Sequence, residues 1–291
     1  MGFSIWRGDK SVKMEQSISL VTTEKFNQLK AGLAELGSVL VAYSGGVDST
    51  FLLHTAYEVL GDKCLAVTAA SETYPQAELT EALQVVKNIG APHRLIETKE
   101  LENEQFASNP PERCYFCKSE LFGKLREIAQ TENLAWVLDG ANADDLQDYR
   151  PGMQAGRKLG VRSPLQEAGL TKLEIRQLSR DLALPTWDKP SFACLSSRFP
   201  YGHRITVEKL QQVDAAEAYL RTLGLRQLRV RHHENIARIE LPSEELSTFI
   251  ESWRESVVAK FKELGFNYIT LDLQGFRSGS MNEVLPRSEE R

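Results

Sequence analysis

The sequence predicts an α/β fold, a parallel sheet with helices on both faces, followed by a smaller C-terminal α+β domain. Three observations carry this. Short apolar runs alternate with segments of helical period through the first half. A glycine-rich turn joins the first of those runs to the first helix after it. The second half changes grammar, to alternating polar and apolar strands set between long helices.

Val39, Leu40, Val41 and Ala42 read as a buried strand. The turn Ser44-Gly45-Gly46-Val47-Asp48-Ser49 follows, and a helix runs from Thr50 to about Leu60. Residues 64–68 (Cys-Leu-Ala-Val-Thr) form the next strand. A helix over 75–89 carries Leu79, Leu83 and Val86 at helical spacing and stops at Gly90. Arg94, Leu95 and Ile96 make a short strand, 118–130 a helix, and Trp136, Val137 and Leu138 a strand that ends at Asp139-Gly140. Repeated β-α units of this kind give a parallel sheet covered on both faces. In the second half, 206–223 and 243–264 are helices, and 227–232, 236–241 and 267–273 are strands. The later helix carries a stripe of Leu246, Phe249, Ile250, Trp253, Val257, Phe261 and Leu264. The expected division is a polar tail over 1–20, a nucleotide-binding domain over 21–190 and a second domain over 191–291.

Composition narrows the class. The chain has 291 residues, 42% hydrophobic and 26% charged, with a net charge of -5. These are values of an ordinary water-soluble enzyme, and the acidic balance argues against a nucleic-acid partner. No apolar run approaches the ~20 residues of a membrane helix. Residues 1–10 lack the apolar core of a signal peptide, and Trp6 stands where a myristoylation signal at Gly2 wants Ser or Thr. The cytoplasm is the expected compartment, where the four cysteines stay reduced unless they hold a metal or do chemistry.

A glycine turn between a strand and a helix is built to bind phosphate. Glycine lets the backbone approach an anion, and the first N–H groups of the helix point at it. Ser44 and Ser49 add hydroxyl donors, and Asp48 can hold a magnesium ion that accompanies the phosphates. The turn lacks the lysine of a Walker loop. It resembles the SGGxDS loop of the PP-loop ATPases, of the adenine nucleotide alpha hydrolase-like fold, which cleave ATP between the α and β phosphates and transfer AMP. That resemblance implies that Thr68 to Ser71 reads adenine, largely through backbone groups. It also implies that the turn holding Gly140, Asn142 and Asp145 contacts the nucleotide and its metal. Taken alone, the acidic turn reads equally as a helix N-cap.

Cysteines supply the second signal. Cys114-Tyr115-Phe116-Cys117 is a C-x-x-C, and Cys194 sits in Ala193-Cys194-Leu195-Ser196-Ser197-Arg198. Cys64, inside a strand, reads as a buried structural thiol. Three remaining thiols are one short of the usual zinc set, and residue 118 is Lys rather than the His of haem attachment. They suit a 4Fe–4S cluster with one open iron, with a redox disulfide between Cys114 and Cys117 as the rival.

The loop 44–49, the segment 110–118 (Pro-Pro-Glu-Arg-Cys-Tyr-Phe-Cys-Lys), the run 139–152 (Asp-Gly-Ala-Asn-Ala-Asp-Asp-Leu-Gln-Asp-Tyr-Arg-Pro-Gly) and 193–198 together resemble the LarE family, over about residues 25–285. LarE proteins are the sulfur transferases of nickel-pincer nucleotide cofactor synthesis. The resemblance implies adenylation of a carboxylate of pyridinium-3,5-biscarboxylic acid mononucleotide, then displacement of AMP by sulfur. Some members give up the sulfur of one cysteine, here Cys194. Others add a C-x-x-C and deliver sulfide from an iron–sulfur cluster, and Cys114, Cys117 and Cys194 match that kind. The family also implies a homo-oligomer, while the upstream sulfur donor stays unnamed.

The second domain is expected to hold the substrate phosphate. Arg229 and Arg231 alternate on one strand face, which taken alone reads as an outward charged face neutralised by water; the LarE resemblance implies instead that they, with Ser197 and Arg198 near Cys194, form an anion site of planar and hydroxyl donors. Glu240, on the polar face of the next strand, is a further candidate metal ligand, in addition to Asp48. Two other enzyme classes share the glycine loop. A tRNA thiolase wants a basic surface that this chain lacks, and an amide-forming NAD or GMP synthetase leaves the three cysteines unexplained.

Overall fold

The structure is a computed structural model describing residues 18–147, 151–190, 193–277 and 279–285. The tail expected at the N-terminus lies outside the described residues as far as residue 17. From Leu20 the chain is helical: α1 (Leu20–Leu36) is capped by Ser19, whose hydroxyl accepts from the Thr22 N–H at 3.1 Å.

The first sheet contains β1 (Val39–Ala42), β2 (Cys64–Ala70), β3 (His93–Glu97) and β4 (Trp136–Leu138), all parallel, in the order β3-β2-β1-β4. Between them run α2 (Val47–Leu60), α3 (Gln76–Ile89), the short α4 (Glu104–Ala107) and α5 (Arg113–Thr131). After β4 come α6 (Pro151–Lys158), α7 (Pro164–Glu167) and α8 (Lys172–Asp181). The two faces of β1 show why helices cover both sides. Val39 and Val41 enter one core with Leu29, Leu33, Phe51 and Leu52, while Leu40 enters another with Phe122, Leu125 and Val137.

In this strand order β1 and β4 are neighbours whose connections leave toward opposite sides. A crevice therefore opens beyond their carboxyl ends, the place where open α/β sheets bind ligands. The loop 44–49 and the turn 139–145 both emerge there.

The second sheet contains β5 (Arg229–His233), β6 (Ile236–Glu240) and β7 (Tyr268–Leu271). β5 and β6 form the expected hairpin, turning at Glu234 with φ 55°, and β7 joins β6 in parallel. α9 (Val207–Thr222) and α10 (Leu246–Glu263) cover it, with Ala216, Leu220, Phe249 and Phe261 packed on Val230, Ala237 and Ile239.

A smaller core crosses the boundary expected near residue 190. Phe106, from α4, packs with Leu195, Phe199, Ile205, Leu210 and Val213, and Phe116 and Cys117 flank them. Ser191 and Phe192, within that boundary, lie outside the described residues.

One helix differs from expectation in a way that matters. α5 begins at Arg113, not at 118, so Cys114 and Cys117 stand on its first turns. Pro110 and Pro111 end just before it, where a missing N–H costs nothing, and the Arg113 N–H closes the turn onto the Pro110 carbonyl at 3.0 Å. The i,i+3 spacing then puts both thiols on one side of the helix.

Candidate active site

The phosphate loop is held open by two close approaches. Gly45 has φ 64°, and a Cβ there would stand 2.4 Å from the Ala82 Cβ. A Cβ on Gly140 would stand 3.0 Å from the Ser49 nitrogen, so the turn after β4 presses on the first turn of α2. Only glycine serves at either position. Within the loop the Ser44 and Ser49 hydroxyls are 3.1 Å apart, and Ser49 Oγ accepts from the Ser44 N–H at 3.3 Å. The Tyr74 hydroxyl donates to the Ser44 carbonyl at 2.6 Å.

Asp48 has one carboxylate oxygen on Lys172 Nζ at 2.5 Å and the other, Oδ1, buried without a hydrogen-bond partner. An orphaned carboxylate oxygen beside a phosphate loop fits a magnesium ion. Lys172 escaped the sequence reading. Its signal was Thr171-Lys172-Leu173-Glu174, a T-x-x-E capping box that starts α8, and the full reciprocal box is formed. The Lys172 N–H also donates to Asp144 at 2.9 Å, which ties α8 to the turn after β4.

The other expected nucleotide residues build the walls. Thr68 is buried in β2 and its hydroxyl lies 2.9 Å from His93 Nε2, so Ala70 and Ser71 stand at the strand end instead. Ser71 Oγ lies 2.8 Å from Thr73 Oγ1. Asn142 and Asp145 brace their own turn: the Asn142 N–H donates to Asp145 at 2.9 Å, and Asn142 Oδ1 accepts from the Asp144 N–H at 3.0 Å. Asp148, Tyr149 and Arg150 lie outside the described residues.

The three thiols come from segments far apart in sequence. Asn109, with φ 56° and no exposure, is the clip. Its side-chain amide donates to the Phe199 and Pro200 carbonyls at 3.2 and 2.7 Å, and its own carbonyl accepts from the Gly202 N–H at 2.9 Å. Arg113 Nη1 donates to Asn109 Oδ1 at 2.6 Å, fixing the start of α5 to the same clip. Leu195, next to Cys194, donates its N–H to the Thr73 carbonyl at 2.9 Å.

Burial dominates the two thiols of α5. Burial first, then Cys194, raises the Cys114 thiol above its ordinary value. Burial also raises Cys117, with Glu100, Cys194 and Cys114 adding to it and Lys118 opposing. Glu100 is itself buried, accepts from Thr98 Oγ1 at 2.8 Å and faces Cys117 Sγ at 4.0 Å. Cys64 is apart from this group, in the first core, where burial pushes its thiol up to about 12. Among the described residues no three His, Cys, Asp or Glu side chains close on a single metal ion. Thiols are soft donors of the kind an iron–sulfur cluster takes.

The arginines are sorted by their partners. Arg198 is fully buried: it donates Nε and Nη2 to Glu217 at 2.7 and 3.0 Å, and Nη1 to the Ala193 and Cys194 carbonyls at 2.9 and 3.2 Å. Arg231 donates Nε and Nη2 to Glu240 at 2.9 and 2.8 Å and Nη1 to the Ser197 carbonyl at 2.7 Å. Both were expected as phosphate donors; both instead build the wall that carries Cys194 and Ser197. Glu240, expected as a metal ligand, has both oxygens taken by Arg231 and a further bond from Arg238 at 3.0 Å. Its charge is spent on arginines.

Arg229 differs. Its guanidinium lies 5.1 Å from the Phe276 ring centroid, and Nη1 donates to the Leu228 carbonyl at 2.7 Å. Burial, then the charge of Arg198, holds its pKa down to about 10.

Comparison with known proteins agrees with this geometry. The NAD synthase family model matches residues 21–132. An uncharacterised protein of Synechocystis sp. is 50% identical over 264 residues, 90% of this chain and 98% of the relative. The pyridinium-3,5-bisthiocarboxylic acid mononucleotide synthase of Lactiplantibacillus plantarum is 42% identical over 262 residues, 90% of this chain and 95% of the relative. An uncharacterised protein of Methanocaldococcus jannaschii is 30% identical over 262 residues, 89% of this chain and 100% of the relative. A phosphate loop at the β1/β4 crevice, a cysteine segment bonded to its neighbour and this extent of identity lead to one conclusion: the chain belongs to the LarE-type family of the pyridinium-3,5-bisthiocarboxylic acid mononucleotide synthase, ATP-using enzymes built on the PP-loop domain.

Proposed function

We propose that this enzyme is an ATP-dependent sulfur transferase that converts the carboxylates of pyridinium-3,5-biscarboxylic acid mononucleotide into thiocarboxylates, as the Lactiplantibacillus relative's name describes for that protein. One observation carries the reading: the segment of Cys194 is hydrogen-bonded, through Leu195 and Thr73, to the strand end that flanks the phosphate loop.

A carboxylate resists nucleophiles because it is already anionic. In the first half-reaction its oxygen attacks the α-phosphorus of ATP. The new O–P bond forms, the bond to the β-phosphate breaks, and pyrophosphate leaves with the electron pair. Ser44, Ser49, the backbone N–H groups of the loop and Lys172 bind the departing phosphates, and Asp48 would hold magnesium, which supplies charge neutralisation. In the second half-reaction hydrosulfide attacks the acyl carbon, forming C–S and breaking C–O, and AMP leaves with the electron pair while the sulfur proton passes to solvent.

Cys114, Cys117 and Cys194 would hold a 4Fe–4S cluster, which when bound supplies sulfur at the sulfide level. Arg229 would bind the substrate phosphate; Ser197, whose hydroxyl donates to the Cys194 carbonyl at 2.8 Å and accepts from Arg198 at 2.7 Å, joins Arg198 and Arg231 in the wall behind it. The resemblance supports a homo-oligomer, and the first ten residues, which lack the apolar core of a signal peptide, support the cytoplasm; no described helix is long and apolar enough to cross a membrane.

The test is anaerobic incubation of the full-length chain with ATP, magnesium, sulfide and the mononucleotide, following pyrophosphate and thiocarboxylate by mass. Cys194→Ala should keep pyrophosphate release and lose the thiocarboxylate. About four irons per chain, absent in Cys114→Ala, accompany the cluster. No pyrophosphate release from wild type would overturn the reading.

A further inference from the structure

The two proposed half-reactions need a fixed relation between the phosphate loop and the Cys194 segment, and the residues after β2 supply a connection. The chain from Ser71 to Pro75 makes a turn, closed by the Tyr74 N–H on the Ser71 carbonyl at 3.1 Å. Two adjacent residues in it face opposite ways. Thr73 is buried, and its carbonyl accepts from the Leu195 N–H at 2.9 Å. Tyr74 sends its hydroxyl to the Ser44 carbonyl at 2.6 Å, the first residue of the phosphate loop. Ser44 in turn meets Ser49, on the first turn of α2, through their hydroxyls at 3.1 Å. Two hydrogen bonds and one peptide unit therefore separate the loop that handles phosphate from the residue beside Cys194.

Both anchors are firm. Leu195 is fully buried in the core shared by Phe106 and Phe199, so its N–H cannot drift from Thr73 without disturbing that core. The Tyr74 ring is largely enclosed, and burial first, then Glu78, raises its phenol above the ordinary value, so it stays a donor at working pH.

We propose that Tyr74 is a positioning residue that couples the phosphate loop to the Cys194 segment, holding the adenylated carboxylate in register with the sulfur. This rests on the proposed function, and its test separates the two. Hydrogen–deuterium exchange by mass spectrometry is measured on the full-length chain, with and without a non-hydrolysable ATP analogue and magnesium, for wild type and Tyr74→Phe. In wild type the nucleotide should slow exchange both at 44–49 and at 193–199, the latter at least about threefold. In Tyr74→Phe the loop should still respond and 193–199 should not. Sulfur transfer in that variant should fall about tenfold, the loss of one good hydrogen bond, with the KM for ATP nearly unchanged. A 193–199 response that survives in Tyr74→Phe, or is missing in wild type whose loop responds, overturns the coupling. A wild-type loop that does not respond overturns the nucleotide site itself.

Discussion

Arg198 and Glu217 form an ion pair wholly shielded from water, with two parallel hydrogen bonds at 2.7 and 3.0 Å. The Val230 N–H and Arg221 supply further bonds to the same carboxylate, each at 3.0 Å. Despite burial, Arg198 keeps that carboxyl below its usual range. The pair joins the end of the cysteine segment to α9 and to the start of the second sheet. Arg198→Leu takes from the buried Glu217 its bidentate partner, leaving it only Arg221 and the Val230 N–H, and should cost about 3 kcal/mol of stability. Urea unfolding at neutral pH measures this, and a change below about 1 kcal/mol would return Arg198 to the role of a substrate donor.

Stability should also depend on pH through His232. Its ring sits between Phe199 and Phe266, with Nε2 3.0 Å from Gln212 Oε1. Gln212 gives its amide N–H to the Leu264 carbonyl at 2.9 Å, so its oxygen faces the ring and accepts from a neutral imidazole. Burial, then the charge of Lys209, lowers the histidine from 6.5 to about 4. The folded state thus binds fewer protons than the unfolded chain between those values. The contribution is complete above pH 6.5 and is lost as pH falls toward 4, by at most about 3 kcal/mol. Unfolding midpoints at pH 7.5 and 5 for wild type and His232→Phe test it; the variant should lose much of the slope.

How much of this was legible in the sequence follows from what each signal needs. The loop 44–49 was readable because strand, glycines and helix start are contiguous. The hairpin was readable from alternation. The roles of Arg198, Arg231 and Glu240 were not, because each depends on a partner more than eight residues away in sequence or on depth of burial, and alternation gives a face without its neighbour. Lys172 was hidden for the same reason: its partner Asp48 is 124 residues distant. The start of α5 was misplaced because prolines usually read as breaks, whereas here they lead a helix in.

Lys172→Ala should reduce pyrophosphate release by about 100-fold, the scale of removing one oriented charge from a transition state. Circular dichroism should stay unchanged, since the partner Asp48 is only partly enclosed. ATP–pyrophosphate exchange gives the number, and wild-type exchange would assign Lys172 to stability alone.

Arg229→Ala should weaken binding of the phosphorylated substrate about tenfold and leave ATP affinity intact. Calorimetric titration with each ligand makes the distinction. Equal weakening of both would place the substrate phosphate elsewhere.

The Asn109 clip has a consequence for biogenesis. A nascent chain that has emerged only as far as β4 already owns the whole parallel sheet and the phosphate loop. It also carries Cys114 and Cys117, yet the carbonyls of Phe199 and Pro200 that seat Asn109 are still inside the ribosome. The third thiol and the core around Leu195 arrive later still in assembly. Until that segment emerges, the start of α5 that carries Cys114 and Cys117 lacks the carbonyls that seat its clip, so the two halves of the cysteine region join only after the nucleotide-binding sheet is complete.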